Sequence, residues 1–266
     1  MAYSPDSFIR FLGAVIFAAA AGASFTQPER TAGADPALSR TPVLVELFTS
    51  EGCSDCPPAD DLLARLDAEQ FVHGVYAIVL SEHVTYWNHQ GWSDPFSLPK
   101  MDSRQQQYGG LFHLDSVYTP QMVVDGASQF VGSASADLTA ALKSASAARK
   151  QPLEILAARW DKEGVHFSVR SAFLGGTHLV AALAENTAHA EVSAGENAHR
   201  SLHHVAVVRT LEDFKPGFGD GRQLTLSASG VQKGKTAPLL RLVVFLVEDQ
   251  TGRVRAVAQQ SLNPPA

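Results

Sequence analysis

The sequence predicts an α/β fold that continues into an all-β, sandwich-like half. Three observations carry this. Residues 41–150 alternate apolar runs of strand length with helical patterns. Composition changes at Gln151-Pro152, after which the pattern becomes period-two, with turn signals between the runs. Of 266 residues, 45% are hydrophobic and 18% charged, enough apolar material for a buried core. The charge is −6, from 21 Lys+Arg against 27 Asp+Glu, so there is no basic excess to neutralise phosphates and a nucleic-acid partner is not expected.

The N-terminus reads as an export signal over residues 1–23. Arg10 precedes the apolar run Phe11–Ala21, and Ala21-Gly22-Ala23 supplies a small-x-small cleavage pattern. The run is shorter than the ~20 residues of a spanning helix, and no later segment is long and apolar enough for one. No stable membrane span after cleavage and a periplasmic or secreted location are therefore expected. Residues 24–40, rich in Ala, Pro, Gly and Thr, read as a linker.

Thr41–Phe48 is a strand of the kind buried on both faces. The turn Thr49–Cys56 follows. Pro57–Leu66 then reads as a helix, with Leu62, Leu63 and Leu66 on one face and prolines in the first turn, where a missing N–H costs little. Val75–Leu80 is a second strand. Ser81 to about Leu114 is a long aromatic-rich connection of the kind that carries function or partial helix. Val117–Gly126 reads as a strand and turn, Ser128–Val131 as its paired strand, and Asp137–Arg149 as an Ala/Leu-rich helix. In the second half, strands are expected at 153–160, 164–170, 179–183, 203–209, 223–227, 239–247 and 254–258, with hairpin loops at Asp161–Gly164 and Asp249–Gly252.

The only two cysteines form Cys53-Ser54-Asp55-Cys56, between a strand and a helix N-terminus. Two cysteines exclude a disulfide-stapled scaffold and a four-Cys metal site. The spacing lets both sulfurs meet within one helical turn, and the free N–H groups and dipole of the helix start favour thiolate over thiol. In a redox dithiol, Cys53, the more N-terminal and exposed, attacks a partner disulfide, and Cys56 resolves the mixed disulfide. Asp55 opposes the dipole and argues against a very strong oxidant. A structural disulfide gains little chain entropy from so short a loop. A metal site needs two further ligands, although soft thiolates would suit copper(I). Inert paired cysteines are a third alternative.

Glu46, in an apolar strand before the motif, is a candidate proton acceptor for the resolving cysteine, because burial raises a carboxyl pKa. Pro120 at the mouth of a strand implies a turn, an edge or a cis bond. A cis Thr119-Pro120 bond beside the cysteines would offer the Thr119 backbone to an extended substrate. His83 and Trp87, just after the second strand, are candidate lining of a substrate groove. His199, His203 and His204 read as surface histidines; neighbours in a strand, the last two point to opposite faces and make a poor chelate.

The segments Val45–Asp60, His83–Trp87, Gly91–Phe96 and Val117–Gly126, with Glu196–Arg200 and Val207–Arg209, resemble a thioredoxin-like family of exported bacterial proteins catalogued as a domain of unknown function. The resemblance covers most of residues 41–260. It implies a thioredoxin-like domain over 41–150 and an appended all-β domain over 151–266. Cys53 and Cys56 match the nucleophilic and resolving positions, Thr119-Pro120 the cis-proline loop, and Glu46 the buried acid, with one extra residue in the connection. Gly52 and Ser54-Asp55 stand where the wider superfamily has a Trp before the first Cys and a Pro between the two. The expected activity is thiol–disulfide exchange on protein or small-molecule thiols, with no organic cofactor. Copper(I) delivery and a non-catalytic docking module are the alternatives.

Overall fold

Apolar β-branched and Leu residues make Thr41–Thr49 (β1) and Val75–His83 (β2) the parallel centre of an eight-stranded sheet. This description comes from a computed structural model and covers residues 40–171, 175–214, 221–231 and 238–263. The expected signal segment at 1–23 and all but the last residue of the expected linker at 24–40 lie outside those residues. In the space between and beyond the central strands run helix α1 (Pro57–Glu69), helix α2 (Pro99–Leu111), strands β3 (Gln121–Val124) and β4 (Ser128–Val131), and helix α3 (Ser135–Ala147). The second half supplies β5 (Leu153–Trp160), β6 (Val165–Ser171), β7 (Thr177–Glu191), β8 (Ser201–Phe214), β9 (Leu224–Leu226), β10 (Leu240–Glu248) and β11 (Val254–Leu262).

The architecture is mixed α/β, dominated by one large sheet with few helices. Strand order is β11-β10-β7-β8-β2-β1-β3-β4. The boundary expected at residue 150 does not separate the sheet. Strand β8 runs parallel to β2, with Ser81 opposite Val207, so strands from both halves share one ladder. The described residues fall in one compact unit with no division near residue 150. An edge-on β2 would expose unpaired backbone groups beside a strongly apolar strand, and β8 covers that edge. A separate three-stranded sheet, β5-β6-β9, packs its Val165, Phe167, Val169, Leu224 and Leu226 against Leu179, Leu183, Leu242, Val244 and Leu246 of the large sheet.

The period-two alternation of β1 sorts its residues between two faces. Glu46 and Phe48 meet α2, through Arg104 and Tyr108. Thr49, one residue further on, bonds Asp60 of α1. In β2, the register places Glu82 beside Phe48 and His83 beside Thr49, on the same two faces.

Candidate functional site around the cysteine pair

At the carboxyl end of β1 the chain turns through Ser50–Cys56 into α1, the place where α/β sheets open a crevice. The Cys53 N–H donates to Ser50 O at 3.2 Å, and the Cys56 N–H donates to Cys53 O at 3.2 Å. Cys56 is the N-cap of α1, with Pro57 and Pro58 in the first helical turn. The two cysteines are joined as a disulfide with their Cα atoms 5.4 Å apart.

The expectation that Cys53 is exposed is not met. Cys53 is 1% exposed and Cys56 fully buried, while Ser54 and Asp55 face solvent. The reason is a cap the strand pattern did not reveal. The loop between β7 and β8 folds over the turn, and the Asn197 side-chain amide donates to both Glu51 O and Cys53 O at 2.9 Å. Glu196 Oε2 accepts from the Ser54 N–H at 3.0 Å. Arg200 holds the Asn197 side-chain oxygen at 2.8 Å.

Thr119-Pro120 is a cis peptide, and it sits beside the motif. A methyl group placed on Gly132 would lie 3.0 Å from both Pro120 Cβ and Ala59 Cβ, so the proline packs near the first turn of α1. Trp87 links the two loops. Its indole N–H donates to Thr119 Oγ1 at 2.7 Å, and a Cβ on Gly52 would stand 3.1 Å from the Trp87 Cβ. Gly52 therefore makes room for Trp87. Through Trp87 and the first turn of α1 the structure links the cysteine turn with Thr119 and Pro120.

It does not bring Glu46 into that group. Glu46 is buried, but on the α2 face. Its carboxylate accepts from Arg104 Nε at 2.5 Å and from the Tyr108 hydroxyl at 2.6 Å. Glu82 lies beside it, 3.7 Å from Arg104 Nε. Burial, then the Glu46 charge, push Glu82 well above the ordinary carboxyl range, with Arg104 acting in the opposite sense. This is a salt-bridged core cluster, two residues sharing one guanidinium. The alternation along β1 puts Glu46 and Phe48 on the α2 face and Thr49 on the α1 face.

On the α1 face a different polar cluster stands behind the disulfide. His83 Nδ1 meets Asp94 Oδ2 at 2.7 Å, and the same Asp94 oxygen accepts the Glu51 N–H at 2.9 Å. Glu51 Oε2 accepts from the Trp92 indole at 2.7 Å, and Glu51 Oε1 lies 3.3 Å from His204 Nε2. His204 Nδ1 is 3.7 Å from Asp60 Oδ1, an ion-pair rather than a hydrogen-bond separation, and Asp60 Oδ2 accepts from Thr49 Oγ1 at 3.1 Å. The two imidazoles pack edge to face at 4.6 Å. Glu51, Asp60, Asp94, His83 and His204 are all buried.

His199 and His203 are exposed as expected, but His204 is buried in the polar cluster. The two neighbours do point to opposite faces, and His204 takes the inward one. Burial alone would lower the His204 pKa, but the neighbouring Asp60 and Glu51 carboxylates outweigh it and raise it to about 10. Burial likewise pushes Asp94 up, and the His83 imidazole with the Glu51 and Phe96 amides overcomes it, so Asp94 stays below its ordinary value. The signal available in the sequence was Glu51 and Asp60, each within four residues of a cysteine.

The family model described as "Protein of unknown function (DUF1223)" matches residues 44–246, and the chain belongs to that family. No curated protein matches it. Among solved structures, it is similar to the X-ray crystal structure of an Agrobacterium tumefaciens protein from a structural-genomics programme. The two share 25% identity and a TM-score of 0.58, over 84% of this chain and 96% of that one.

Proposed function

We propose that the protein is an exported, thioredoxin-like thiol–disulfide oxidoreductase working through the Cys53–Cys56 pair. The observation that carries the reading is the closed disulfide at a helix N-terminus, between a buried strand and the cis Thr119-Pro120 peptide. A four-residue loop adds little to stability by chain entropy, so a purely structural role explains the pair poorly.

Exchange runs through a mixed disulfide. A substrate thiolate attacks Cys53 Sγ, the Cys53–Cys56 bond breaks, and Cys56 leaves as a thiolate that takes a proton. A second substrate thiolate then attacks the substrate sulfur of the mixed disulfide and expels the Cys53 thiolate. The substrate is oxidised to a disulfide and the protein is reduced by two electrons; the reverse sequence reduces a substrate. The helix N-terminus favours each thiolate. In this reading Asp60, one turn after Cys56 on α1, exchanges the Cys56 proton, and His204 and Glu51 lie behind it. This role replaces the one expected of Glu46. Because both sulfurs are buried, attack requires the Asn197 cap to lift.

The test is a thiol titration by mass shift in defined glutathione buffers. Interconversion of the dithiol and disulfide, lost in Cys53→Ser, is expected. A pair that stays locked across the buffers, or exchange unchanged in Cys53→Ser, overturns the reading.

A further inference from the structure

Two tight turns meet where the first half of the chain joins the second, and basic side chains gather around them. The β3–β4 turn passes through Asp125-Gly126, and the β10–β11 turn through Gly252-Arg253. The Val254 N–H donates to Asp125 O at 2.8 Å. A Cβ on Gly126 would overlap Gly252 O and stand 3.4 Å from Arg253 Cα, so only glycine permits this approach. Lys150, just past α3, crosses the same seam. Its ammonium group donates to Asp125 Oδ2 and, at 3.3 Å, to Val254 O, and the Gln151 N–H donates to Arg255 O at 2.9 Å. Arg253 and Arg255 flank Val254, whose side chain is buried, and strand alternation turns both arginines the other way. These elements border a cavity of about 220 Å³, whose lining includes Asp125, Ser128, Arg149, Lys150, Arg253 and Arg255.

We propose that this cavity binds a small dianion of the phosphate class, free phosphate or a phosphomonoester. Two of its cations are already answered by carboxylates: Lys150 pairs with Asp125, and Arg255 Nη2 with Glu248 Oε1 at 2.8 Å. Arg149 and Arg253 make no ion pair among the described residues. Four cations against two carboxylates leave an excess of about two charges, reduced by roughly half a charge at the C-terminus of α3. The whole chain carries −6, so this excess is local. A phosphoryl group supplies about −1.5 to −2 at neutral pH and three acceptor oxygens. Donors reach it from three elements: the end of α3, the Ser128 hydroxyl on β4, and the arginines at the start of β11. The guanidinium fork matches pairs of phosphate oxygens, whereas a lone carboxylate brings one charge and two oxygens. The volume falls below the roughly 300–1,000 Å³ of sites for drug-sized ligands, which limits the occupant to little more than the phosphoryl group.

The cavity stands apart from the cysteine pair. The Leu44 N–H donates to Asp125 Oδ1 at 2.9 Å, which sets this turn level with the start of β1, and the cysteines follow its far end. From Leu44 to Thr49 is five steps of about 3.3 Å, roughly 16 Å. The inference therefore does not rest on thiol exchange. Bound there, the anion would tie α3 and β4 to β11, one half of the chain to the other.

The experiment is calorimetric titration of the oxidised protein with sodium phosphate at neutral pH and fixed ionic strength. One saturable site per chain is expected. Loss of a charged hydrogen-bond donor in Arg149→Gln or Arg253→Gln should weaken Kd by about 10- to 150-fold. Arg170→Gln removes the same charge from an exposed pair with Glu154 on the other sheet and should leave Kd unchanged. Acetate, at the same ionic strength, should fail to saturate the site over the range in which phosphate does. Arg149 and Arg253 are exposed, and an unchanged circular dichroism spectrum confirms that each variant is folded. Absence of saturable phosphate binding, wild-type affinity in the double variant Arg149→Gln/Arg253→Gln, an equal loss in Arg170→Gln, or equal binding of acetate overturns the proposal.

Discussion

Asn197→Ala removes the two hydrogen bonds that fasten the β7–β8 loop over the disulfide. Its amide donates to Glu51 O and Cys53 O, both at 2.9 Å, and both carbonyls belong to the turn that holds the sulfurs. With the loop closed and the amide gone, these carbonyls lose their donor; with the loop lifted, water supplies one. The substitution therefore destabilises the closed form relative to the open one. At a net ~0.5–1.5 kcal/mol per bond, the loss is about 1–3 kcal/mol, which multiplies the open fraction roughly 5- to 150-fold. If dithiothreitol reaches Cys53 only through the open form, and closing is faster than attack, the reduction rate rises by the same factor. The assay is quenched-flow reduction with thiol trapping and mass detection. Arg104→Met is the comparison, since it weakens the fold from the α2 face without touching the loop. An unchanged rate in Asn197→Ala, or equal acceleration in Arg104→Met, refutes the cap.

Further outcomes concern the two polar clusters. His204 binds its proton more tightly in the folded state, with a pKa near 10 against 6.5, so the stabilisation it gives is whole below about pH 6.5 and disappears as pH climbs through 10. Urea midpoints should fall over that interval in the wild type, and much less in His204→Gln. Arg104→Met leaves Glu46 and Glu82 buried without their cation and is expected to cost about 3–5 kcal/mol in denaturant unfolding; a second change, Glu46→Gln, should restore part of it. If Asp60 and His204 handle the Cys56 proton, Asp60→Asn should shift the pH profile of exchange while Glu46→Gln leaves it in place, and stopped-flow rates between pH 5 and 9 distinguish the two.

Strands β1 and β2 were legible because double-sided burial writes an unbroken apolar run, and α1 because prolines mark its start and three leucines its inner face. Helix α2 was hidden in the aromatic connection for a physical reason. Its buried positions are Met101, Arg104, Gln105, Tyr108 and Gly109, at helical spacing, but Arg104 and Gln105 are charged or polar, Tyr108 carries a hydroxyl, and Gly109 has no side chain. A helix whose inner face makes hydrogen bonds to Glu46 and Gln121 carries no apolar stripe. Strands β7 and β8 also run longer than their apolar centres, since Thr177–Glu191 and Ser201–Phe214 extend as a polar-edged ribbon. In the site, the cysteines and Thr119-Pro120 stand out by residue type alone. His204 and Asn197 do not, because what gives them meaning is a partner far away in sequence, and single-strand alternation says which face a residue takes but not what waits there.

That distance has a consequence in time. Asn197 covers Cys53 across 144 positions and Glu196 reaches Ser54 across 142. A chain made from its N-terminus emerges with β1, the cysteines and α1 first, and N-terminal parts begin to order before the rest arrives. Until the ribbon of β7 and β8 is delivered, the thiols of the newborn chain stand uncovered before any oxidant or catalyst nearby. The bond therefore joins residues that emerge well before the segment that shelters them.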